Sequence, residues 1–191
     1  MREHYSVKWT YVLMAVTALA FAFQDMFGTP LALTFIPAYS FDYPWMFVTS
    51  MFLHASVDHI FLNMLALLFF GSYLERVVGS RAFLCIYFVS GMIGNVGYMV
   101  TTNNPYVPAL GASGAIYGIV GTLAVLTPRL TVFVYGVLPL PMMAFATLYG
   151  LLDFAGLPSP SGIAHGAHLG GLVVGLGFGL YLRRGFRNAL V

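Results

Sequence analysis

Residues 111–126 read GASGAIYGIVGTLAVL, an apolar stretch that opens with a serine and carries glycines at helical spacing. Residues three and four positions apart share one face of an α-helix, so Gly114, Gly118 and Gly121 form a stripe of small residues. Within lipid, such a stripe lets the backbones of two helices approach closely. The stretch therefore predicts a membrane helix packed tightly against a partner.

A second stripe near the end of the chain indicates which helix that partner is. Gly171, Gly175 and Gly179 recur every four residues, in line with His168. Packing the two stripes together would bring His168 to Ser113 at the top of the contact. The glycine pattern thus predicts a serine beside a histidine.

The composition places these helices in a membrane. Of the 191 residues, 60% are hydrophobic and only 7% are charged, and the mean hydropathy is +0.87. A soluble domain carries about 25% charged residues. Collagen-like, disordered, nucleic-acid-binding and disulfide-stapled secreted classes are therefore excluded. The lone Cys85 cannot form an internal disulfide, and the net charge of +2 implies no acidic partner.

Apolar segments predict six membrane helices in one all-α domain that covers residues 1–191. A spanning helix needs about 20 apolar residues. The predicted spans are Trp9–Phe27, Asp58–Val78, Arg81–Val100, Ser113–Leu126, a stretch within Arg129–Asp153, and Ile163–Leu182. In the fifth span, Pro139 and Pro141 either kink one long helix or start a shorter one.

The charges orient this polytopic bundle. All eight basic residues fall on one side of the six-helix arrangement: Arg2, Lys8, Arg76, Arg81, Arg129, Arg183, Arg184 and Arg187. The positive-inside rule makes that side cytoplasmic, with both termini there. The carboxylates Asp25, Asp42, Asp58 and Asp153 fall on the outer side.

The ends of the first span bear on localisation. Its apolar run is longer than the core of a signal peptide, and no small-residue cleavage pattern follows it. We therefore expect a retained helix and a multi-pass protein of the cell (cytoplasmic) membrane. The long apolar connection over residues 28–57 is expected to lie partly in the outer membrane interface.

Four polar side chains are predicted to share one layer below the outer surface. His59 is sixteen residues from Glu75, Ser113 is sixteen from Arg129, and His168 is fifteen from Arg183. At about 1.5 Å per residue, each lies roughly 22–24 Å above the inner boundary. Asn63 shares a helix face with His59, one turn deeper. Polar groups within a bilayer are costly and usually functional, so this layer is a candidate site.

These residue types suit nucleophilic catalysis. A histidine can take the proton of a serine hydroxyl, which makes His168 the candidate base for Ser113. Side chains of His59 and Asn63, with the backbone N–H groups of Ala112 and Ser113, could stabilise an oxyanion.

Two neighbours of Ser113 complete the predicted site. Gly111 suits a tight turn that exposes backbone donors. No carboxylate is expected at this depth, so a dyad rather than a triad is predicted. Tyr117, one turn below Ser113, could hold the imidazole by packing.

A metal site is the rival reading of the same region. Four histidines could supply nitrogen ligands: His54, His59, His165 and His168. Against this reading, the sequence has no HExxH motif and no nearby cysteine, and we expect no acidic ligand within the spans. The sequence therefore predicts neither a metal nor another cofactor.

Three motifs together resemble the rhomboid intramembrane serine proteases. Residues 54–63 (HASVDHIFLN) are similar to that family's signature of two histidines and an asparagine. Residues 111–114 (GASG) resemble its GxSG motif, and Tyr117 has the expected offset. Residues 167–175 (AHLGGLVVG) resemble its AHxxGxxxG motif.

The resemblance implies a six-helix bundle in which Ser113 is the nucleophile and His168 the general base. His59, Asn63 and the backbone of Ala112 and Ser113 would form the oxyanion hole, with His54 in a supporting role. It also implies that substrates are single-pass membrane proteins, cut near the outer end of their membrane segment. Residues 153–162 would be a mobile cap over the site.

One position departs from the family's pattern. The family commonly has Trp-Arg in the first outer loop, where this chain has Trp45-Met46, so a polar anchor of the loop is lost. An alternative function is a catalytically silent rhomboid-like scaffold that binds membrane proteins. Loss of Ser113 or His168 would indicate it, and both residues are present.

Overall fold

The computed structural model describes residues 7–134, 136–157 and 162–188, and its architecture is mostly helical. The helices in chain order are α1 (Trp9–Phe27), α2 (Met46–Thr49), α3 (Val57–Ala66), α4 (Ser72–Val78), α5 (Ser80–Thr101), α6 (Ser113–Leu126), α7 (Met142–Gly156) and α8 (His165–Asn188). Short 3-10 helices lie at Leu31–Leu33, Pro37–Tyr39 and Ser50–Phe52. A π-helical segment, Leu67–Gly71, joins α3 to α4.

Four helical stretches in the described part of the chain are long and apolar enough to cross a bilayer. They are Trp9–Phe27, Val57–Val78, Ser80–Thr101 and His165–Arg184. Helices α6 and α7 are also apolar but shorter, at 14 and 15 residues. The architecture is that of a polytopic membrane protein.

The region before α7 departs locally from the predicted all-α architecture, which otherwise agrees with the mostly helical structure. Strands β1 (Thr131–Val134) and β2 (Leu138–Pro141) form an antiparallel hairpin in which Thr131 pairs with Pro141. Proline lacks the N–H that a central strand needs, but it is tolerated in an edge strand such as β2. Of the two alternatives for Pro139 and Pro141, the structure has the shorter helix, which begins at Met142.

Helix α6 forms the centre of the bundle, between α5 and α8. Eleven of its 14 residues are buried. A Cβ atom on Gly171 or Gly175 would lie well inside contact distance of the carbonyl oxygens of Gly114 and Gly118. The predicted close contact between the two glycine stripes is confirmed.

We expect Gly171→Ala to destabilise the protein by about 1–3 kcal/mol, because the added methyl group meets backbone that cannot move aside. Thermal unfolding in detergent would measure the loss. Gly177→Ala is the matched control, since a Cβ there has nothing within 4 Å. It should be neutral or slightly stabilising, and equal effects of the two substitutions would contradict the packing.

The segment between α1 and α3 is held by apolar packing and backbone acceptors. Met46 is 2% exposed and packs in a cluster with Phe35, Ile36 and Ala109. The Trp45 indole donates to the carbonyl oxygen of Ala32 at 2.9 Å. Met46 thus anchors this segment through buried apolar contact.

Candidate active site

The start of α6 and the first turn of α8 bring two predicted residues together. Ser113 opens α6, and His168 is the fourth residue of α8. Because the glycine stripes let these helices touch, the Ser113 Oγ and His168 Nε2 atoms lie 2.8 Å apart. At this distance the hydroxyl can donate to the imidazole, which is the geometry that a general base requires.

An aromatic ring fixes the plane of the imidazole. The rings of Tyr117 and His168 are stacked, with centroids 4.4 Å apart and planes 8° from parallel. Tyr117 lies one helical turn after Ser113 on α6. The packing contact predicted for Tyr117 is therefore present.

A carboxylate lies on the other side of the imidazole, and the prediction that none would is wrong. The Asp153 Oδ1 atom is 2.9 Å from His168 Nδ1 and 2.7 Å from His165 Nδ1. Helix α7 extends past Asp153 to Gly156, beyond the predicted limit of the fifth span. Asp153 consequently lies in the last turn of α7, not in an outer loop.

A signal for this residue was present in the sequence. Met142, Ala146 and Asp153 are the buried residues of α7, and their spacing of four and seven residues places them on one helical face. The sequence therefore allowed Asp153 to be found, but did not require it.

The carboxylate and the two imidazoles that contact it are also a candidate metal site. Asp153, His165 and His168 offer ligand atoms within 4.8 Å of one another, so an acidic side chain does lie beside two of the four histidines. Ligands about 2.0–2.1 Å from a tetrahedral zinc ion are roughly 3.3 Å or more apart. Both imidazole Nδ1 atoms are closer than that to the same oxygen. The spacing fits hydrogen bonds better than shared coordination.

His59 approaches the nucleophile from α3. Its Nδ1 atom accepts from the backbone N–H of Ala55 at 3.3 Å, which leaves the hydrogen on Nε2. Gly111 separates this ring from Ser113 and has φ +131°, a backbone conformation that favours glycine. A Cβ on Gly111 would lie 2.9 Å from His59 Nε2 and 3.9 Å from Ser113 Oγ. The His59 Nε2 and Ser113 Oγ atoms therefore border the same space beside Gly111.

Asn63 lies one turn below His59 on α3 and is 6% exposed. Its side-chain amide donates to the carbonyl oxygen of His59 at 2.8 Å. A carboxamide carries two N–H donors, so this bond uses one of them. The interaction fixes the orientation of the amide against the backbone of α3.

His54 contacts the backbone that precedes the nucleophile. Burial, followed by the neighbouring His59 imidazole, lowers the pKa of His54 to about 4, so the ring is neutral at pH 7. Its Nε2 atom accepts from the backbone N–H of Ala112 at 3.4 Å. The Ala112 N–H is therefore already paired, which differs from the expectation that it is free to stabilise an oxyanion. The Ser113 N–H belongs to the first residue of α6.

A small cavity of about 20 Å³ lies behind Ser113, with Gly91, Asn95 and Ala167 in its lining. That volume can hold one water molecule.

Four residues of the predicted cap, 158–161, lie outside the described residues.

Comparison with known proteins gives a consistent result. The family model described as the Rhomboid domain matches residues 42–185. The chain is 34% identical over 134 residues to YdcA of Bacillus subtilis, named as a candidate rhomboid protease; the match covers 69% of this chain and 63% of that protein. It is 28% identical over 178 residues to Rhomboid-like protease 3 of Toxoplasma gondii, covering 91% and 65%.

One relative is named as inactive. The chain is 32% identical over 79 residues to Inactive RHOMBOID-like protein 8 of Arabidopsis thaliana, covering 41% of this chain and 22% of that protein. The chain spans less than two thirds of the length of each of these three relatives.

Proposed function

Because the chain belongs to the rhomboid family, we propose that it is an intramembrane serine endopeptidase that cleaves single-pass membrane proteins near the outer end of their membrane segment. The observation that carries this proposal is the 2.8 Å distance between Ser113 Oγ and His168 Nε2. Membership alone does not decide activity, since one relative is named as inactive.

The proposed reaction proceeds in two steps. Ser113 Oγ attacks the scissile carbonyl carbon while its proton passes to His168 Nε2, and the same nitrogen then gives that proton to the leaving amine. Water, activated by His168, breaks the acyl–serine ester and releases the second product. The chain's own side chains suffice for each proton transfer, so the proposal needs no metal or other cofactor.

The oxyanion of the first step would be stabilised by three donors. They are the backbone N–H of Ser113, the Nε2–H of His59 and the second N–H of the Asn63 amide. The start of α6 adds the positive end of a helix dipole. We propose that His54 supports this arrangement through its bond with Ala112.

We further propose that all six apolar helices cross the bilayer as one domain, with both termini cytoplasmic and the protein in the cell membrane. Ser113 and His168 would then lie towards the outer face, and Arg76, Arg81 and Arg183 towards the inner face. Its partners would be the lipid bilayer and its substrates, with no nucleic acid.

Asn63→Ala is expected to lower kcat by about 10²- to 10³-fold, because one oxyanion donor is lost. KM should change little, since the donor acts on charge that develops in the transition state. Asn103→Ala, at an exposed loop position, is the control and should leave both constants unchanged. An Asn63→Ala variant that keeps the wild-type kcat would remove Asn63 from the oxyanion hole.

The proposed activity is tested by cleavage in proteoliposomes. The purified protein would be reconstituted with a panel of single-pass membrane proteins, and mass spectrometry would locate any cut. We expect cuts near the outer end of the membrane segment. Binding of these proteins without any cut by a folded enzyme would instead support the silent scaffold.

A further inference from the structure

A buried carboxylate near the outer end of an apolar helix needs a reason. The Asp153 side chain is 6% exposed, and α7 is otherwise almost wholly apolar. Charged groups within membrane-spanning segments are costly, and they pair with one another or serve function. The partners of Asp153 are groups of the candidate site, and this inference rests on the function proposed above.

The contact to His168 has the geometry that selects a tautomer. The carboxylate oxygen can only accept, so at 2.9 Å it accepts a hydrogen bond from the N–H at His168 Nδ1. The other ring nitrogen, Nε2, is then unprotonated and faces the Ser113 hydroxyl at 2.8 Å. Without the carboxylate, the ring could also place its hydrogen on Nε2, which cannot accept a proton from serine.

A second imidazole holds the carboxylate from the other side. His165 Nδ1 lies 2.7 Å from the same oxygen, Asp153 Oδ1. Gly156, on the same turn of α7 as Asp153, makes room for this ring, because a Cβ there would lie 2.5 Å from the His165 Cε1 atom. The last turn of α7 is therefore shaped to bring His165 against Asp153.

From these contacts we infer that Asp153 is a positioning residue that completes a Ser113–His168–Asp153 triad, with His165 fixing the carboxylate. When the proton of Ser113 moves to His168 Nε2, the imidazole becomes positively charged beside the carboxylate, which stays ionised. The proton then leaves with the amine product, and Asp153 exchanges none. Its contribution is to orient the base and to stabilise its charged form.

Asp153→Asn tests this role, because the amide keeps the shape and loses the charge. We expect kcat to fall by about 10²- to 10⁴-fold with KM within about threefold of wild type. The acid limb of the pH–rate profile should move to lower pH, because the protonated base is no longer stabilised. The other titratable groups beside His168 are Tyr117 on α6, His165 on α8 and His59 on α3, and they are the same in every variant.

Two further variants sharpen the test. Asp153→Glu keeps the carboxylate and should retain more activity than Asp153→Asn, with the acid limb near its wild-type position. Asp25→Asn removes an exposed carboxylate from α1 and should change neither kcat nor the profile. If Asp153→Asn does not fold, Asp153→Ala replaces it with the same expected results.

The outcomes separate this inference from the proposed function. An Asp153→Asn enzyme with kcat within threefold of wild type, or with an unmoved acid limb, would overturn the positioning role while the protease proposal stands. Failure of the wild-type protein itself to react at Ser113 would overturn the protease proposal first. A loss confined to thermal stability would make Asp153 structural.

Discussion

Ser113→Ala is expected to abolish peptide-bond cleavage and leave the fold intact. The substitution removes the nucleophilic oxygen, and in serine proteases loss of a triad serine lowers kcat by about 10⁶-fold. The N-cap residue of α6 is Ala112, and the Ser113 hydroxyl bonds to His168 on α8, so formation of α6 does not depend on it. Quantified product release from proteoliposomes would measure the loss, and thermal unfolding would verify the fold.

A second serine supplies the control for this prediction. Ser90 on α5 is buried, and its hydroxyl has no hydrogen-bond partner among the described residues. Ser90→Ala therefore removes the same atom from a neighbouring helix without breaking a bond, and activity should stay close to wild type. Cleavage by Ser113→Ala at the wild-type rate would contradict the mechanism.

His168→Ala is expected to lower the rate of cleavage about as much as Ser113→Ala. Without the imidazole the hydroxyl has no acceptor for its proton, and residues that act as a unit have non-additive effects. The double variant Ser113→Ala/His168→Ala should therefore be no slower than either single variant. Rates of all three, measured on one substrate under identical conditions, form the necessary cycle.

Stability must be checked separately, because His168 also stacks on Tyr117. Tyr117→Phe keeps an aromatic ring and is expected to stay within about tenfold of wild-type activity.

The rate of the double variant Ser113→Ala/His168→Ala decides whether the two residues act together. If it is slower than wild type by the product of the two single losses, Ser113 and His168 act independently. That result would contradict the proposed reaction.

The sequence predicted those parts of the structure that depend on local signals. Helices α1 and α6 begin and end at the predicted residues, Trp9–Phe27 and Ser113–Leu126, because polar or glycine residues bound each apolar run. The contact between Ser113 and His168 followed from two glycine stripes. Periodicity and small-residue spacing are sufficient for such predictions.

The features that the sequence left open depend on long-range structure. An aspartate at the end of an apolar run can be an interfacial residue or a buried one, and the sequence pattern is the same for both. For Asp153 the contact of α7 with α8 decides between them, because it brings the carboxylate to His165 and His168. Similarly, the Ala112 N–H meets His54, 58 residues earlier in the chain, and no local pattern contains that pairing.

Labelling with a fluorophosphonate probe tests the central claim most directly, because the probe reacts with a base-activated serine and requires no knowledge of the substrate. Wild-type protein in detergent would be compared with Ser113→Ala and His168→Ala, and mass spectrometry would locate the adduct. We predict an adduct on Ser113 in the wild type and none in either variant. A folded, monodisperse wild-type protein that forms no adduct would contradict the assignment of Ser113 and His168 as a catalytic pair.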